Sequence, residues 1–198
     1  MDFQELVAEV VDITKRPDKV TSIESAVKTA TLKAHHSDYF FNDLVEVAVE
    51  FDEPRFIQTF DPKQVVPRYR QAKYMRVWEG DINGYPKDFL EHIQVEAALD
   101  NYGYTRTNVF YMAGQFLQIR GAMPVEKVLF GCYVHPLVTP SENYNSWIAD
   151  EYPGAIVYEA ARTIFLQIGY QEQSRSMQAL VSEQYAALGL SNVDSVPT

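Results

Sequence analysis

The chain reads as an α+β protein: a helical bundle of two N-terminal and two C-terminal helices, with an antiparallel β-sheet module inserted between the pairs. Three observations predict this. Apolar residues recur at intervals of three and four at both ends of the chain, they alternate one by one in the middle, and Pro, Gly, Asn and Asp punctuate that middle. At the start Phe3, Leu6, Val7, Val10 and Val11 line one face of a helix over residues 2–13, which Arg16-Pro17 closes. Thr21-Ser22-Ile23-Glu24 has the form of a capping box, so a second helix is expected from there. Its stripe is Ile23, Val27, Ala30 and Ala34, continued toward Tyr39 and Phe40, and the two helices read as a hairpin joined near Pro17.

After Phe41 the period falls to two. Val45, Val47, Val49 and Phe51 alternate with Glu46, Ala48 and Glu50, as in a strand with one wet face. Further strands are expected at 55–60, 72–79, 108–112, 115–120 and 128–137, all rich in aromatic or β-branched residues, with Ala113-Gly114 as a tight turn. Residues 61–70 and 83–104 contain Pro62, Pro67, Gly84, Pro86 and Gly103 and read as turns or short helices. Beyond Pro140 the helical period returns, with Trp147-Ile148-Ala149 leading to Pro153, a residue suited to a first helical turn. Ile156, Val157, Ala160, Ile164, Phe165 and Ile168 then form a long stripe, and Gly169 either stops it or lets a closely packed neighbour approach. A last helix over 171–188 carries Met177, Leu180, Val181, Tyr185 and Leu188 and stops before Gly189. Residues 1–198 thus read as one domain, with a helical part (1–41 and 141–189), a β-rich part (42–140) and a tail (190–198).

Composition narrows the function classes. The 198 residues are 46% apolar and carry 17 Lys and Arg against 27 Asp and Glu, a net charge of −10 that disfavours a phosphate backbone or an anionic membrane as the main partner. Cys132 is the only cysteine, so no intrachain disulfide or thiolate zinc site can form, which suits a reducing compartment. The opening Met1-Asp2-Phe3-Gln4-Glu5 lacks the pattern of a signal peptide, and no run of about eighteen apolar residues is present, so neither secretion nor a membrane is expected.

Motifs for chemistry are sparse. The histidines are His35, His36, His92 and His135, and the one cluster is Ala34-His35-His36-Ser37-Asp38. Adjacent histidines on a helix diverge by about 100°, whereas His35 and Asp38 at i and i+3 could share a metal. One reading is therefore a small metal-dependent hydrolase using His35, His36 and Asp38; the other is that histidines at a helix C-terminus complement its dipole. His135, beside Pro136, reads as a hydrogen-bonded sheet residue. No Gly-x-Ser-x-Gly or phosphate-binding loop occurs, and Cys132 in an apolar run reads as a small buried hydrophobe, so no catalytic, metal or cofactor-binding residue is assigned.

Charge is segregated along the chain. Asp38, Asp43, Glu46, Glu50, Asp52 and Glu53 lie together, and Lys63, Arg68, Arg70, Lys73 and Arg76 follow. Either copies of the chain pair head to tail through Asp43, Glu46 and Glu50 against Arg68, Arg70, Lys73 and Arg76, or adjacent strands neutralise one another within one sheet. The thirteen Tyr, eleven Phe and two Trp fit core and subunit contact, since these side chains bury large area.

The order of these segments resembles that of the head-to-tail adaptor (connector) proteins of tailed bacteriophages. The similar portions are Leu6-Val7 to Ile13-Thr14-Lys15-Arg16-Pro17-Asp18, then Ala26-Val27-Lys28-Thr29-Ala30-Thr31-Leu32-Lys33-Ala34-His35, the strand-rich middle, Trp147-Ile148-Ala149, Pro153 with Ala155-Ile156, and Ala160-Ala161 to Phe165 and Gly169. The resemblance implies a non-enzymatic ring, a dodecamer, in the virion neck, made in the host cytoplasm, without cofactors or membrane. Its partners would be the portal protein and the tail or nozzle proteins, and DNA would pass through its lumen without sequence-specific binding. The C-terminal segment would grip the portal, with Leu190, Val193 and Val196 as anchors. A tail-completion or stopper subunit of the same neck is the alternative.

Overall fold

The computed structural model describes residues 1–78, 84–86, 88–99 and 103–194, with the backbone alone for 191–194. In chain order the elements are α1 (Phe3–Thr14), α2 (Val20–His36), β1 (Leu44–Phe60), α3 (Pro62–Val65), β2 (Tyr69–Val77), β3 (Asp88–His92), β4 (Val109–Ala113), β5 (Phe116–Val134), α4 (Trp147–Glu151), α5 (Pro153–Gln167) and α6 (Gln171–Asp194). The fold is α+β. Two compact units result: a helical one of Met1–Asp43 and His135–Thr198, and a sheet unit of Leu44–Val134.

In the helical unit, α1 opens with a capping box: the Glu5 amide donates to Asp2 Oδ1 and the Asp2 amide to Glu5 Oε2, each at 2.8 Å. The box expected at Thr21 and Glu24 is not formed. A 3₁₀ turn over Pro17–Lys19 runs straight into α2, whose N-cap is Lys19, so Thr21 already lies inside the first turn. Helix α5 packs against α1, α2, α4 and α6. It buries Ala155, Ile156, Val157, Ala160, Ala161 and Ile164, and the alanines let α5 and its neighbours approach closely. Glu159 of α5 is 4% exposed and accepts from Lys33 Nζ at 2.5 Å and from Arg162 at 2.8 and 2.9 Å, tying α2 to α5. Burial pushes its carboxyl up, but the bonds from Arg162 and Lys33 win and hold it below the usual range.

Gly169, at φ 82°, ends the α5 segment as expected. Helix α6 buries Ser174, Val181 and Leu188, seven residues apart, a narrow seam of coiled-coil type. It does not stop before Gly189 but continues to Asp194, because one interior glycine costs a helix only about 1 kcal/mol. The first part of the expected tail is therefore helical, and residues 195–198 lie outside the described set.

In the sheet unit, two pairs of expected strands are each one long strand. β1 runs from Leu44 to Phe60 through Asp52-Glu53-Pro54, where the pairing register with β5 shifts. A proline is tolerated there because one edge of β1 carries no strand among the described residues. β5 pairs along its length with β1, and on its other edge with β4 at residues 116–120 and with β2 at residues 128–134. Between these stretches it turns a corner at Gly121, where a Cβ would fall 2.4 Å from the Met123 carbonyl oxygen and 2.6 Å from Val125 Cγ2. Because β2 pairs with β3 and β3 with β4, the four strands β5-β2-β3-β4 close into a small barrel. Two features depart from expectation. β3 lies in a stretch expected to hold only turns and short helices, and its pairing with β4 is parallel, so the sheet is not wholly antiparallel. Met75, Leu117, Ile119, Val128, Phe130 and Cys132 are completely buried in its core.

Candidate functional site

The densest polar cluster of the helical unit sits around His35. The α2 stripe Ile23, Val27, Ala30 and Ala34 is buried, and His35 is buried beside it, 1% exposed. Its ring is held at both nitrogens. Nδ1 lies 2.9 Å from both oxygens of Asp43, and Nε2 lies 2.9 Å from Ser146 Oγ. Asp43, 3% exposed, also accepts from Trp147 Nε1 at 2.9 Å. Ser146, 4% exposed, is the N-cap of α4, with its Oγ 3.3 Å from the Ala149 amide that donates to it. The Trp147 ring closes the cluster with T-shaped contacts to His35 at 5.9 Å and to Phe40 at 5.2 Å.

Ser, His and Asp in this order of hydrogen bonds are the parts of an acyl-transfer triad. Here all three are buried. A nucleophile must present its oxygen to a carbonyl carbon, whereas Ser146 Oγ is enclosed and receives the first-turn amide of α4. The arrangement joins the last turn of α2, the residue before β1 and the start of α4, leaving no polar atom of the trio without a partner. Next to it the Tyr144 and Thr31 hydroxyls meet at 2.9 Å, and burial pushes the Tyr144 phenol above its usual range.

The reading of His35, His36 and Asp38 as one metal cluster does not match the placement of their side chains. His35 turns inward to Asp43 and Ser146, His36 faces His135 with Nε2 and Nδ1 3.0 Å apart, and Asp38 Oδ1 accepts from the Tyr39 amide at 2.7 Å. No set of three or more His, Cys, Asp or Glu side chains among the described residues is placed to hold a metal ion. His135, expected in a strand, follows β5 instead.

The segregated charges lie in the sheet unit, apart from Asp38 and from Asp43. That residue is not on a surface at all, being enclosed by His35 and Trp147, so it cannot serve between subunits in this conformation. Glu46 and Glu50 are exposed on β1, and Lys73 and Arg76 lie on β2, with β5 between the two strands. Glu46 and Tyr74 both sit opposite Gly131, whose missing side chain lets the Tyr74 ring lie across β5 and donate to Glu46. Glu50 pairs with Lys127 at 2.8 Å, Lys73 Nζ sits 5.8 Å from the Tyr133 ring centre, and the Arg76 guanidinium stacks 4.2 Å from that of Phe89. Arg68 is exposed just before β2 and Arg70 is half-buried within it. Phe89 itself is 61% exposed. Of the expected portal anchors, Leu190 is 68% exposed on α6, Val193 lies on the same helix, and Val196 is outside the described residues.

Sequence reasoning missed Ser146 and Asp43 as partners of His35. A Ser three residues before Ala149 is an N-cap signal that could have flagged the first; nothing local flags the second, which reaches His35 only once the chain folds back. No helix among the described residues is long and apolar enough to cross a membrane. Compared with models of known protein families and with curated proteins, the chain matches none.

Proposed function

We propose that this chain is a structural subunit of a phage neck, a head-to-tail adaptor whose helices act as a bundle and whose copies form a ring, a dodecamer, between portal and tail. One observation carries the reading. The side chains best suited to chemistry, His35, Asp43 and Ser146, are spent inside a core, while large apolar side chains such as Phe56, Tyr85, Phe89, Met123 and Leu190 stand more than half exposed. Such a surface suits contact with other proteins.

The charge distribution supports the same reading. The helical unit holds fifteen acidic and seven basic residues, a net of −8, against twelve and ten, a net of −2, in the sheet unit. In a neck, an acidic wall repels the phosphates of DNA passing through the lumen, whereas lysines and arginines would bind them. The end of α6 with Leu190 would grip the portal, and the tail or nozzle proteins would meet the opposite side of the ring. The subunit would act in the virion neck after synthesis in the host cytoplasm, with no membrane, cofactor or bond-making step.

Removing residues 190–198 tests the portal contact. The shortened chain is expected to keep the helical circular dichroism of the full chain and to lose co-sedimentation with portal rings. Undiminished co-sedimentation would contradict the assignment of the grip, and binding to tail proteins instead of portal would favour a stopper subunit.

A further inference from the structure

His36 ends α2 and His135 is the first residue after β5, yet their side chains meet on the surface of the helical unit. His36 Nε2 and His135 Nδ1 are 3.0 Å apart, with ring centres 5.0 Å apart and planes inclined by 57°. Two neutral imidazoles at that separation share one proton between the facing nitrogens. Those same nitrogens are ligands for first-row transition ions.

The separation bears on the class of ion. With metal–nitrogen distances of about 2.0–2.1 Å, two nitrogens in cis positions of a tetragonal site lie about 2.9 Å apart, while a tetrahedral angle needs about 3.4 Å. The observed 3.0 Å is a hydrogen-bond separation that lies nearer the tetragonal value, so a tetragonal ion could take both nitrogens with little change in their spacing. An all-nitrogen pair also disfavours Ca²⁺ and Mg²⁺, which take oxygen ligands. We propose that His36 and His135 form a two-point chelate for Cu²⁺ or Ni²⁺, clipping the end of α2 to the first residue after β5, with water in the remaining positions. On binding, the proton shared between the facing nitrogens is released to solvent, and each ring turns its freed lone pair toward the metal. The clip is independent of ring assembly.

Titration calorimetry of the untagged full chain with NiCl₂ tests this. One equivalent is expected to bind saturably and to raise the unfolding temperature, with the rise reversed by EDTA. His36→Gln and His135→Asn each retain a hydrogen-bonding group near the lost nitrogen and are expected to weaken Ni²⁺ binding at least about tenfold. Their unfolding without metal should match the parent, and His92→Gln should bind as the parent does. With Cu²⁺, electron paramagnetic resonance should show two coupled imidazole nitrogens in the full chain and one in either variant. Absence of saturable binding up to about 1 mM Ni²⁺, or binding unchanged in His135→Asn, would overturn the clip.

Discussion

At the residue scale, Tyr185 of α6 has its hydroxyl buried with no hydrogen-bond partner among the described residues. Burial, helped by the nearby Glu159 carboxylate, pushes its phenol up to about 12. The folded value lies above the ordinary tyrosine value of about 10, so the unfolded chain ionises first and stability falls as pH rises from about 10 to about 12. Tyr185→Phe removes both effects. It is expected to add about 1 kcal/mol at neutral pH and to flatten the alkaline loss, as read from urea unfolding at several pH values.

Asp43 presents the opposite case, since its carboxylate serves two enclosed donors, on His35 and on Trp147. Asp43→Ala removes the carboxylate that both donors share and is expected to cost about 2–4 kcal/mol, with a shifted Trp147 fluorescence maximum. Ser146→Ala should cost about 1–2 kcal/mol through the lost cap, and a fluorophosphonate probe should leave the enclosed Ser146 unlabelled. Labelling of Ser146 at stoichiometric yield would show that its oxygen reaches solvent and would return the trio to the status of a triad.

At the element scale, two glycines of β5 make different demands. A methyl at Gly121 meets the backbone oxygen of Met123 and the Val125 side chain, which cannot both move without undoing the barrel corner. At Gly131 it meets only the outer atoms of the Tyr74 ring, 2.6 Å away, which can swing off and lose the bond to Glu46. Gly121→Ala is expected to cost about 3 kcal/mol and Gly131→Ala about 1 kcal/mol, measured by chemical unfolding. Equal costs would mean that the corner does not depend on the glycine.

Much at this scale was legible in the sequence. The stripes of α1, α2 and α5 announced their buried faces because each must satisfy a period of 3.6 against one core, and Gly169 announced a stop because its positive φ suits glycine. Cys132 read as a buried hydrophobe and is completely enclosed, its thiol pushed up to about 11 by burial. What misled were local signals overruled by neighbours. The break expected between Phe51 and Arg55 is a register shift at a sheet edge, and the cap expected at Thr21-Glu24 gives way to an earlier start supplied by the turn at Pro17–Lys19. β3 was invisible because Asp88–His92 has no clear alternation and owes its pairing to β2 and β4, which lie far away in the chain. The His35 site was equally hidden: 111 positions separate His35 from Ser146, and 99 separate His36 from His135.

For the whole molecule, the two units have separate cores, one around α5 and one inside the barrel. Asp43→Ala and Gly121→Ala therefore strike different cores, and each is expected to lower the unfolding midpoint of its own unit more than that of the other, as hydrogen exchange at α5 and β5 amides would report. The proposed ring makes a further demand, because a subunit that works by contact must gather copies when its neighbour is present. The most direct check is mass photometry of the full chain, alone and mixed with the portal ring of the same virus. A discrete complex of twelve copies on each portal ring is the predicted result; a chain that keeps the mass of one copy in both samples would contradict it.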